Sequence, residues 1–462
     1  MNKKFKESLF IFRRDLRLED NTALIEALKN SEKVIPIFIF DQKQVSSSNK
    51  FKSNNAIQFM LESLDSLDKD LKNKNGQLYL SYGVPEKIVN KIIKEKRIEA
   101  VFLNRDYTPF SIKRDKSIEQ ICKKNKIEFV SCDDILLNSP ESVLTGSNEP
   151  YSIFTAYYKN ASKNSVQKPQ QNRYTNYYKG SIKSSESKSI FKKTLKKENE
   201  NLWVHGGRAN FEKIIRNITK FKNYSKTRNF PYLETTNLSA YIKFGVGSIR
   251  EIYYAIEKAF GKKHELIKQL YWHDFYTMVA YFSPYVFGKP FRKKYDHLKW
   301  SYNKKDFIAW QNGKTGFPIV DAGMRQLNRT GYMHNRVRMI VASFLVKDLH
   351  QNWLKGEKYF AQNLVDYDPA VNNGNWQWSA STGCDAQPYF RIFNPWLQQK
   401  KFDPECNYIK EWIPELKDIS SKDIHKWNAM HKDFDIDYPA PIVDHKIEAK
   451  KAIKIFKGAK GA

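Results

Sequence analysis

The chain has 462 residues, of which 41% are hydrophobic and 14% aromatic, so it is long and apolar enough for two or three folded domains and is not an intrinsically disordered protein. Lysine and arginine number 79 against 50 aspartate and glutamate, a net charge of +29 that favours a polyanionic partner, above all nucleic acid. A lysine-rich genome would produce the same surplus, so charge supports DNA binding without deciding it.

The four cysteines, Cys122, Cys132, Cys384 and Cys406, form no C-x-x-C pair. Their scatter argues against a zinc site, a disulfide framework and an iron–sulfur cluster, and it favours a reducing compartment and no bound metal. The first residues are charged, and no run of about 18 apolar residues occurs. The sequence therefore predicts a soluble cytoplasmic protein without membrane contact.

Short apolar runs alternate with amphipathic segments over residues 1–132. The predicted strands are residues 9–12, 34–40, 78–81, 100–103 and 129–131, and the predicted helices include residues 57–71, 87–95 and 112–124. This alternation predicts an α/β domain with a doubly wound parallel sheet, whose ligand crevice lies at the carboxyl ends of the strands. No G-x-G-x-x-G motif follows the first strand, which disfavours a nucleotide-dependent dehydrogenase.

The composition shifts after this domain. Residues 133–204 are rich in Asn, Lys, Ser, Gln and Tyr, and residues 162–189 are nearly free of aliphatic side chains, which predicts a surface linker between domains. Residues 205–462 are predicted to form an all-α domain. Helical periodicity is found at residues 249–260, 265–282, 305–312, 319–328, 335–347 and 357–364.

Residues 372–381 read NNGNWQWSAS, and the string continues through residue 395. It closely resembles the flavin-binding segment of the DNA photolyase/cryptochrome family. Residues 12–17, FRRDLR, resemble that family's amino-terminal signature, and the resemblance extends to about residue 446. It implies an antenna-binding α/β domain, a helical FAD-binding catalytic domain, and a monomer that repairs DNA as a class I photolyase. In that reaction, photoexcited reduced FAD donates an electron to a cyclobutane pyrimidine dimer.

A hydroxyl-rich stretch precedes a helical segment near residue 239. Serine and threonine in such a place ordinarily cap the helix, although the same geometry suits a phosphate. The resemblance identifies the stretch with the family's flavin-diphosphate clamp and adds an upstream tyrosine as a flavin contact. The residues so assigned are Tyr224, Thr235, Thr236, Asn237, Leu238 and Ser239, and Asn237 stands where many relatives carry a cation.

Residues 333–339 read MHNRVRM and place Asn335, Arg338 and Met339 on one side of a helix. Arginine on a helix is ordinarily solvated. The resemblance identifies this segment as the active-site helix, on which Asn335 and Arg338 face the flavin and Met339 faces the lesion. The branch that repairs (6-4) photoproducts carries a second histidine where Asn335 stands. Cyclobutane dimers are therefore favoured, and repair of (6-4) photoproducts is an alternative.

Asp366 and Asp368 precede Asn372, a pattern that ordinarily caps a helix or binds a metal. In the family, the first aspartate orients Arg338, the second holds the flavin ring region, and the asparagine lies against flavin N5. Plant cryptochromes typically carry Asp at the last position and animal cryptochromes Cys. Asn372 therefore suits a repair enzyme better than the alternative, a cryptochrome blue-light photosensor.

Most of the ten tryptophans are expected to be core residues. The resemblance nevertheless aligns Trp300, Trp353 and Trp376 with the family's photoreduction chain, in which Trp376 is nearest the flavin and Trp300 is at the surface. Both interpretations can hold, because a core tryptophan can relay an electron. Trp272 and Trp378 match the aromatic residues that sandwich the extruded dimer, and Trp272 is also assigned to the cofactor.

The resemblance is weakest beside the lesion. Gln269 stands where repair enzymes usually carry Glu, and His273 stands where they usually carry Arg. An amide can hydrogen-bond a thymine carbonyl but cannot deliver a proton, so repair is expected to survive with a lower yield. Arg228 and Arg336 are expected to contact the phosphate or the rim of the dimer. With the residues that the resemblance implies, the expected catalytic set is Gln269, Asn335, Met339 and Asn372.

An antenna pigment is expected in the α/β domain. Residues 104–109 follow the fourth predicted strand, where a crevice ligand would bind. The Asn-Glu pair that many folate-binding members carry there is not apparent. Methenyltetrahydrofolate, 8-hydroxy-deazaflavin and no antenna at all therefore stay open.

Overall fold

The computed structural model describes residues 3–459, which form two compact units. Unit 1 comprises the described residues up to 199 together with Val204–Lys222 and Thr236–Pro284. Unit 2 comprises Glu200–Trp203, Asn223–Thr235 and the described residues from 285 onward. These units divide the chain at places other than residues 132 and 204, where the domain boundaries are expected from composition.

Unit 1 contains a parallel sheet whose strands follow the predicted apolar runs. They are β1 (Phe5–Phe12), β2 (Ser31–Asp41), β3 (Tyr79–Gly83), β4 (Ala100–Asn104) and β5 (Glu128–Cys132). The order across the sheet is β3-β2-β1-β4-β5, and Leu9 pairs with Ile35 on one side and Val101 on the other. The long buried runs in β1, β2 and β4 are typical of a parallel sheet covered on both faces. The predicted fold of this region is confirmed.

Most of the remaining described chain is helical. Helices α1 to α12 are Thr22–Asn30, Gln42–Val45, Asn54–Asn73, Pro85–Glu95, Pro109–Lys124, Phe154–Ala161, Ser189–Thr194, Arg208–Arg216, Tyr224–Thr227, Ser239–Phe244, Ile249–Phe260 and Glu265–Phe282. Helices α13 to α22 are Lys304–Gln311, Pro318–Thr330, Asn335–Lys347, Trp353–Asn363, Pro369–Ala380, Pro395–Phe402, Asn407–Trp412, Ser421–Ile424, Trp427–Met430 and His445–Gly458. Short 3-10 helices are Pro140–Ser142, Ile218–Phe221, Pro284–Val286, Lys293–Tyr295, Pro414–Leu416 and His431–Asp433.

Local signals explain why three of these helices match the predicted bounds residue for residue. These are α11, α12 and α15. Ser248 begins α11 through a capping box with Glu251, and the His264 side chain accepts the first free backbone N–H of α12. The prediction of an all-α region after residue 205 is confirmed, since every strand of the described chain lies before it.

Helix α17 carries the NNGNWQWSAS string, for which the sequence analysis predicts no helix. Its few apolar residues do not recur at helical spacing, so periodicity gives no signal. Its start is nevertheless marked, because Asp368 is the N-cap and Pro369 occupies the first helical turn. Ser381 ends it in the left-handed conformation, with φ of +64°.

The segment expected to be a surface linker packs instead against the sheet of unit 1. Tyr177 forms a parallel bridge with Val34 of β2, and Glu186 forms an antiparallel bridge with Leu80 of β3. Tyr177 and Ile182 are buried. The prediction is wrong here because tyrosine and asparagine take the place of aliphatic side chains in burying this segment. The Asn172 amide, for example, donates to the Tyr177 hydroxyl at 2.9 Å.

Unit 2 is built around one large hydrophobic core. Its centre comprises fully buried side chains from several helices, including Trp310, Phe317, Val341, Phe344 and Leu345. Helix α15 packs against α14, α16 and α17. The segments with the strongest sequence signature therefore share a rigid, close-packed support.

A buried ion network joins three parts of unit 1. Asp134, which follows β5, accepts from Arg17 at 2.7 Å and from Arg250 of α11 at 2.8 Å. Arg250 also pairs with Asp20 at 2.9 Å. All four residues are buried, so each charge depends on its partners for the solvation that water would give. Burial alone would raise the pKa of Asp134, but the two guanidinium groups lower it to about 2.

Asp134→Ala should therefore destabilise the protein, because it leaves two guanidinium groups buried without their shared carboxylate. We expect a loss of about 3–5 kcal/mol, visible as a lower unfolding midpoint in denaturant. Since the folded pKa of Asp134 is depressed, its contribution is present above the usual carboxyl range and is lost as the pH falls toward about 2. The difference between wild type and variant should shrink in acid.

Asp65→Ala is the matched control. Asp65 pairs with Lys69 and Lys188 at 2.7 Å, but the pairs are exposed to water. Its loss should cost less than about 1 kcal/mol. Equal destabilisation by the two substitutions would contradict a special role for the buried network.

Candidate functional site

Arg338 is held in one orientation within unit 2. Its Nε donates to the Met333 carbonyl oxygen at 2.7 Å, and its Nη2 donates to Asp366 Oδ2 at 2.9 Å. The guanidinium carbon lies 5.3 Å from the centroid of the Tyr332 ring. The structure thus brings together Arg338 and Asp366, the pair that the resemblance implies.

His334 is the N-cap residue of helix α15 and is not among the site residues predicted from the sequence. Its Nδ1 accepts the Arg336 backbone N–H at 3.2 Å, so a neutral ring carries its proton on Nε2. That Nε2 is buried and has no hydrogen-bond partner among residues 3–459. Burial, with the positive charges of Arg338 and Arg336, lowers the pKa of His334 to about 4. At neutral pH the ring is therefore an uncharged donor.

The other predicted residues of α15 lie nearer the surface. Asn335 is exposed, and its amide nitrogen lies 4.0 Å from the sulfur of Met339, one turn along the helix. The Arg336 guanidinium donates to Asn229 Oδ1 at 2.7 and 3.2 Å. Arg228 lies close enough that its charge, together with burial, lowers the pKa of Arg336. An anion at this place would relieve the repulsion between the two cations.

Asp368 caps α17, and Asn372 lies in the first turns of the same helix. Asp368 Oδ1 accepts the backbone N–H groups of Ala370 at 3.0 Å and Val371 at 3.1 Å, so the helix-cap interpretation is confirmed. The buried Asn372 side chain donates to the Glu357 carbonyl oxygen at 3.2 Å. These contacts set the direction of each side chain within unit 2.

Glu357 of α16 supports this arrangement and could not be recognised in the sequence. Asn373 donates to its Oε1 at 3.0 Å. Burial raises the pKa of Glu357 to about 7, although the Asn373 hydrogen bond opposes the shift. The side-chain carboxyl of Glu357, the residue whose backbone carbonyl holds Asn372, therefore changes its charge near neutral pH.

The three tryptophans assigned to electron transfer lie in or against the core of unit 2. Trp353 and Trp376 are buried within it, and Trp300 is half-buried at its edge. The Trp376 ring meets Phe360 edge-on at 4.9 Å between centroids and Trp310 at 6.2 Å. Trp310, which is not among the residues predicted for electron transfer, is fully buried.

The lesion residues on α12 belong to unit 1. The half-buried Trp272 ring stacks on Phe154 with centroids 3.6 Å apart and planes 8° apart. The Gln269 amide donates to Glu265 Oε1 at 3.0 Å, one turn earlier. His273 Nδ1 lies 3.6 Å from the carboxylate of Asp274, whose pKa is raised by burial. Trp378, in unit 2, meets Phe393 edge-on at 6.4 Å.

The hydroxyl-rich stretch does not cap its helix. Leu238 is the N-cap residue of α10, and no side chain makes the capping hydrogen bond, so the ordinary interpretation is wrong. Asn237 adopts the left-handed conformation, with φ of +52°. Thr235 Oγ1 lies 3.3 Å from the Tyr332 hydroxyl. The division between the compact units falls between Thr235 and Thr236, and Tyr224 begins the short helix α9.

Across residues 3–459, no group of three or more His, Cys, Asp and Glu side chains is arranged to hold a metal ion. No helix in that range has the length and apolar character needed to cross a bilayer.

Comparisons with known proteins place the chain in a family. Residues 8–173 match the DNA photolyase model, and residues 266–458 match the model of the FAD binding domain of DNA photolyase. A deoxyribodipyrimidine photo-lyase of Alkalihalophilus pseudofirmus is 38% identical over 97% of this chain and 97% of that protein. The chain belongs to the DNA photolyase family and carries its FAD-binding domain.

Solved structures agree with this assignment. The archaeal photolyase from Sulfolobus tokodaii, solved with two FAD molecules, has a TM-score of 0.89 and 42% identity, over 98% of this chain and 100% of that one. The bacterial class III photolyase from Agrobacterium tumefaciens has a TM-score of 0.92 and 32% identity, over 100% and 99% of the two chains.

Gly356 is the residue that lets Trp376 pack against α16. A Cβ at this position would lie 2.1 Å from Cη2 of the indole and 2.6 Å from Leu345 Cδ2. Gly356→Ala should therefore displace the indole. The clash should outweigh the helix propensity of alanine and cost about 1–3 kcal/mol, measured as a lower thermal midpoint together with a shift in tryptophan fluorescence.

Gly288→Ala provides the matched control for this substitution. Gly288 is exposed, and an added Cβ there would meet nothing within 4 Å. Its effect on stability should stay within about 0.5 kcal/mol. An unchanged fluorescence spectrum for Gly356→Ala would contradict the packing argument.

Proposed function

We propose that this protein repairs cyclobutane pyrimidine dimers in DNA with light and bound FAD, in the manner of a class I photolyase. The observation that carries the proposal is the fixed orientation of Arg338 by Asp366 and the Met333 carbonyl, on the helix that also presents Asn335 and Met339. The membership of the chain in the DNA photolyase family supports the reaction class.

The donors and acceptors of unit 2 fit a flavin. The unpartnered Nε2–H of His334 and the fixed guanidinium of Arg338 are donors beside acidic and amide side chains, a set that suits the polar edge of an isoalloxazine ring. We assign Asn335, Arg338, Asp366, Asp368 and Asn372 to FAD in unit 2. When bound, FAD would supply the light-absorbing electron donor.

The family resemblance supplies the remaining cofactor assignments. It assigns Tyr224, Thr235, Thr236, Asn237, Leu238, Ser239 and Trp272 to the same cofactor. Leu238, the N-cap residue of α10, makes no side-chain capping hydrogen bond, so the assignment of this stretch to a phosphate does not compete with a helix cap.

The residues of this chain would act by placing the substrate and excluding water. A dimer inside a duplex cannot reach a buried flavin, so the damaged nucleotides must be flipped out. The net charge of +29 favours the DNA backbone, and we assign Arg228 and Arg336 to a phosphate or the dimer rim. Trp272 and Trp378 would stack on the extruded bases, and Met339 would contact the dimer.

The core tryptophans would carry electrons to keep the cofactor reduced. We assign this role to Trp300, Trp353 and Trp376. The supporting observation is that all three rings lie in or against one close-packed core, with Trp300 at its edge. Asn335, where the other branch has a second histidine, favours cyclobutane dimers over (6-4) photoproducts.

The function is tested with the reduced, FAD-loaded protein and oligonucleotides that contain one defined lesion. Under blue light the cyclobutane dimer should disappear, and in the dark it should stay, because the reaction needs an excited donor. A (6-4) oligonucleotide serves as the control and should be unchanged. Intact dimers after illumination of flavin-containing protein would overturn repair in favour of a photosensor, and loss of only the (6-4) lesion would overturn the choice of substrate.

Gln269→Glu should improve repair. The amide at this position donates to Glu265 and can offer the dimer only a neutral hydrogen bond, whereas a carboxyl group can deliver a proton or accept a charge-assisted bond. The introduced carboxyl would lie beside Glu265, which raises its pKa and favours the proton-donating form.

We expect the quantum yield to rise and dimer affinity to increase by up to about tenfold, because the protonated carboxyl can donate a hydrogen bond to the dimer and transfer its proton, and one hydrogen bond contributes roughly 0.5–1.5 kcal/mol. Gln269→Leu, which keeps the size but not the polarity, should lower both. Equal yields for wild type and both variants would remove Gln269 from the catalytic set.

A further inference from the structure

An exposed tryptophan lies next to the turn that holds Arg338. Trp203 belongs to unit 2 through the short segment Glu200–Trp203, and 45% of its surface is exposed. Burial in a core therefore does not explain its packing. Its contacts lead to Arg338 by two routes, one through the backbone and one through aromatic rings.

The backbone route passes through the turn between α14 and α15. The Trp203 N–H donates to the Thr330 carbonyl oxygen at 3.0 Å, and Thr330 Oγ1 accepts the Tyr332 N–H at 3.2 Å. The next residue, Met333, supplies the carbonyl oxygen that accepts Nε of Arg338 at 2.7 Å. Trp203 is thus bound to the turn that supplies one of the two protein acceptors of Arg338.

The aromatic route passes through Tyr332. The planes of Trp203 and Tyr332 are 8° apart and their centroids are 6.2 Å apart, the geometry of an offset stack. The Arg338 guanidinium carbon lies 5.3 Å from the centroid of the same Tyr332 ring. The Tyr332 hydroxyl lies 3.3 Å from Thr235 Oγ1. One buried tyrosine ring therefore meets the indole and the guanidinium, and its hydroxyl lies beside the hydroxyl-rich stretch.

The indole of Trp203 is itself held in place. The Trp412 ring of α19 lies 6.3 Å from it between centroids, with the planes 59° apart, and Trp412 exposes only 9% of its surface. With a backbone hydrogen bond and two aromatic neighbours, the half-exposed indole has little freedom left to lose.

Arg338 needs these restraints because two hydrogen bonds do not fix a guanidinium completely. The bonds to Asp366 and to the Met333 carbonyl hold two of its nitrogen atoms. The cation–π contact with Tyr332 adds a restraint on the distance between the guanidinium and the ring. Tyr332 can supply that restraint only while its own ring is held, and the Trp203 indole stacks on that ring.

We propose that Trp203 is a positioning residue for FAD binding. It holds the Tyr332 ring and the turn before α15, and through them it holds the guanidinium of Arg338. This inference rests on the proposed assignment of Arg338 to FAD. The indole acts through Arg338 and adds an exposed residue to the support of the cofactor site.

The test is equilibrium dialysis of the full-length, FAD-loaded protein, which gives the dissociation constant of FAD. Trp203→Leu should raise this constant by about three- to tenfold, the effect of losing one aromatic stack. Trp203→Phe should restore it to within about twofold of wild type, because a phenyl ring can stack on Tyr332. The reduction potential of bound FAD should fall in Trp203→Leu, since a loosely held guanidinium stabilises the charge of a reduced flavin less well.

A double-mutant cycle with Arg338→Lys separates positioning from general stability. Lysine keeps the charge beside Asp366 but lacks the planar fork of arginine, so Arg338→Lys alone should weaken FAD binding. If Trp203 acts through Arg338, adding Trp203→Leu to Arg338→Lys should weaken FAD by less than about twofold further.

Tyr302→Leu is the matched control. Tyr302 is an aromatic residue of unit 2 that exposes 83% of its surface, with the Lys355 ammonium group 5.5 Å from its ring centroid. Its substitution should change FAD affinity by less than about twofold, since isolated surface substitutions have small effects.

Three results would overturn the role of Trp203 alone: unchanged FAD affinity in Trp203→Leu, including a variant with only a lower thermal midpoint; full additivity with Arg338→Lys; or an equal loss of affinity in Tyr302→Leu. Unchanged FAD affinity in Arg338→Lys would instead overturn the assignment of Arg338 to FAD, and this inference with it.

Discussion

Both units depend on the rule that a charge removed from water needs a partner. In unit 1, the Asp134 carboxylate joins the segment after β5 to Arg17 and Arg250, so it connects parts of the chain that are far apart in sequence. In unit 2, Asp366 plays the same part for Arg338. Because a misplaced partner would leave a buried ion unsolvated, these pairs permit few alternative arrangements. The hydrophobic cores supply the bulk of the stability, and the ion pairs select which packing is adopted.

The pairs in unit 2 also explain why its site is organised before any ligand arrives. Arg338 has two protein acceptors, Asp368 is engaged by the start of α17, and Asn372 is engaged by Glu357. Such contacts limit the side-chain freedom that binding would otherwise have to remove. His334 adds a neutral donor rather than a third cation, since burial and the adjacent arginines lower its pKa. The candidate site therefore combines the two arginines of α15 with a neutral donor.

Much of the fold could be predicted because its signals are local. Buried strands such as β2 read as apolar runs, and helices such as α11 and α12 begin at recognisable caps. Helix α17 is not predicted, because its string lacks apolar periodicity, although Asp368 and Pro369 mark its start.

The expectation of a surface linker over residues 133–204 is wrong, because tyrosines such as Tyr177 can bury a segment that contains few aliphatic residues. The candidate site also has parts that could be predicted from the sequence and parts that could not. Arg338 and Asp366 could be paired from the resemblance. The importance of Glu357, Gly356 and Trp310 could not be predicted, because each depends on burial against residues distant in sequence. A glycine that makes room for an indole looks like any other glycine in a helix.

The segment that contains Tyr177 and Glu186 lies along the outer edge of the sheet in unit 1, and this bears on whether two molecules can pair through that edge. β3 is an outer strand, and open strand edges invite pairing with a second molecule. Glu186 bonds to β3, and Tyr178 donates to Val34 of β2 just beyond the end of β3, so this border of the sheet is already covered. Cleavage within this tyrosine-rich segment would therefore leave backbone N–H and C=O groups at the outer strand without these partners, where a second molecule could pair with them.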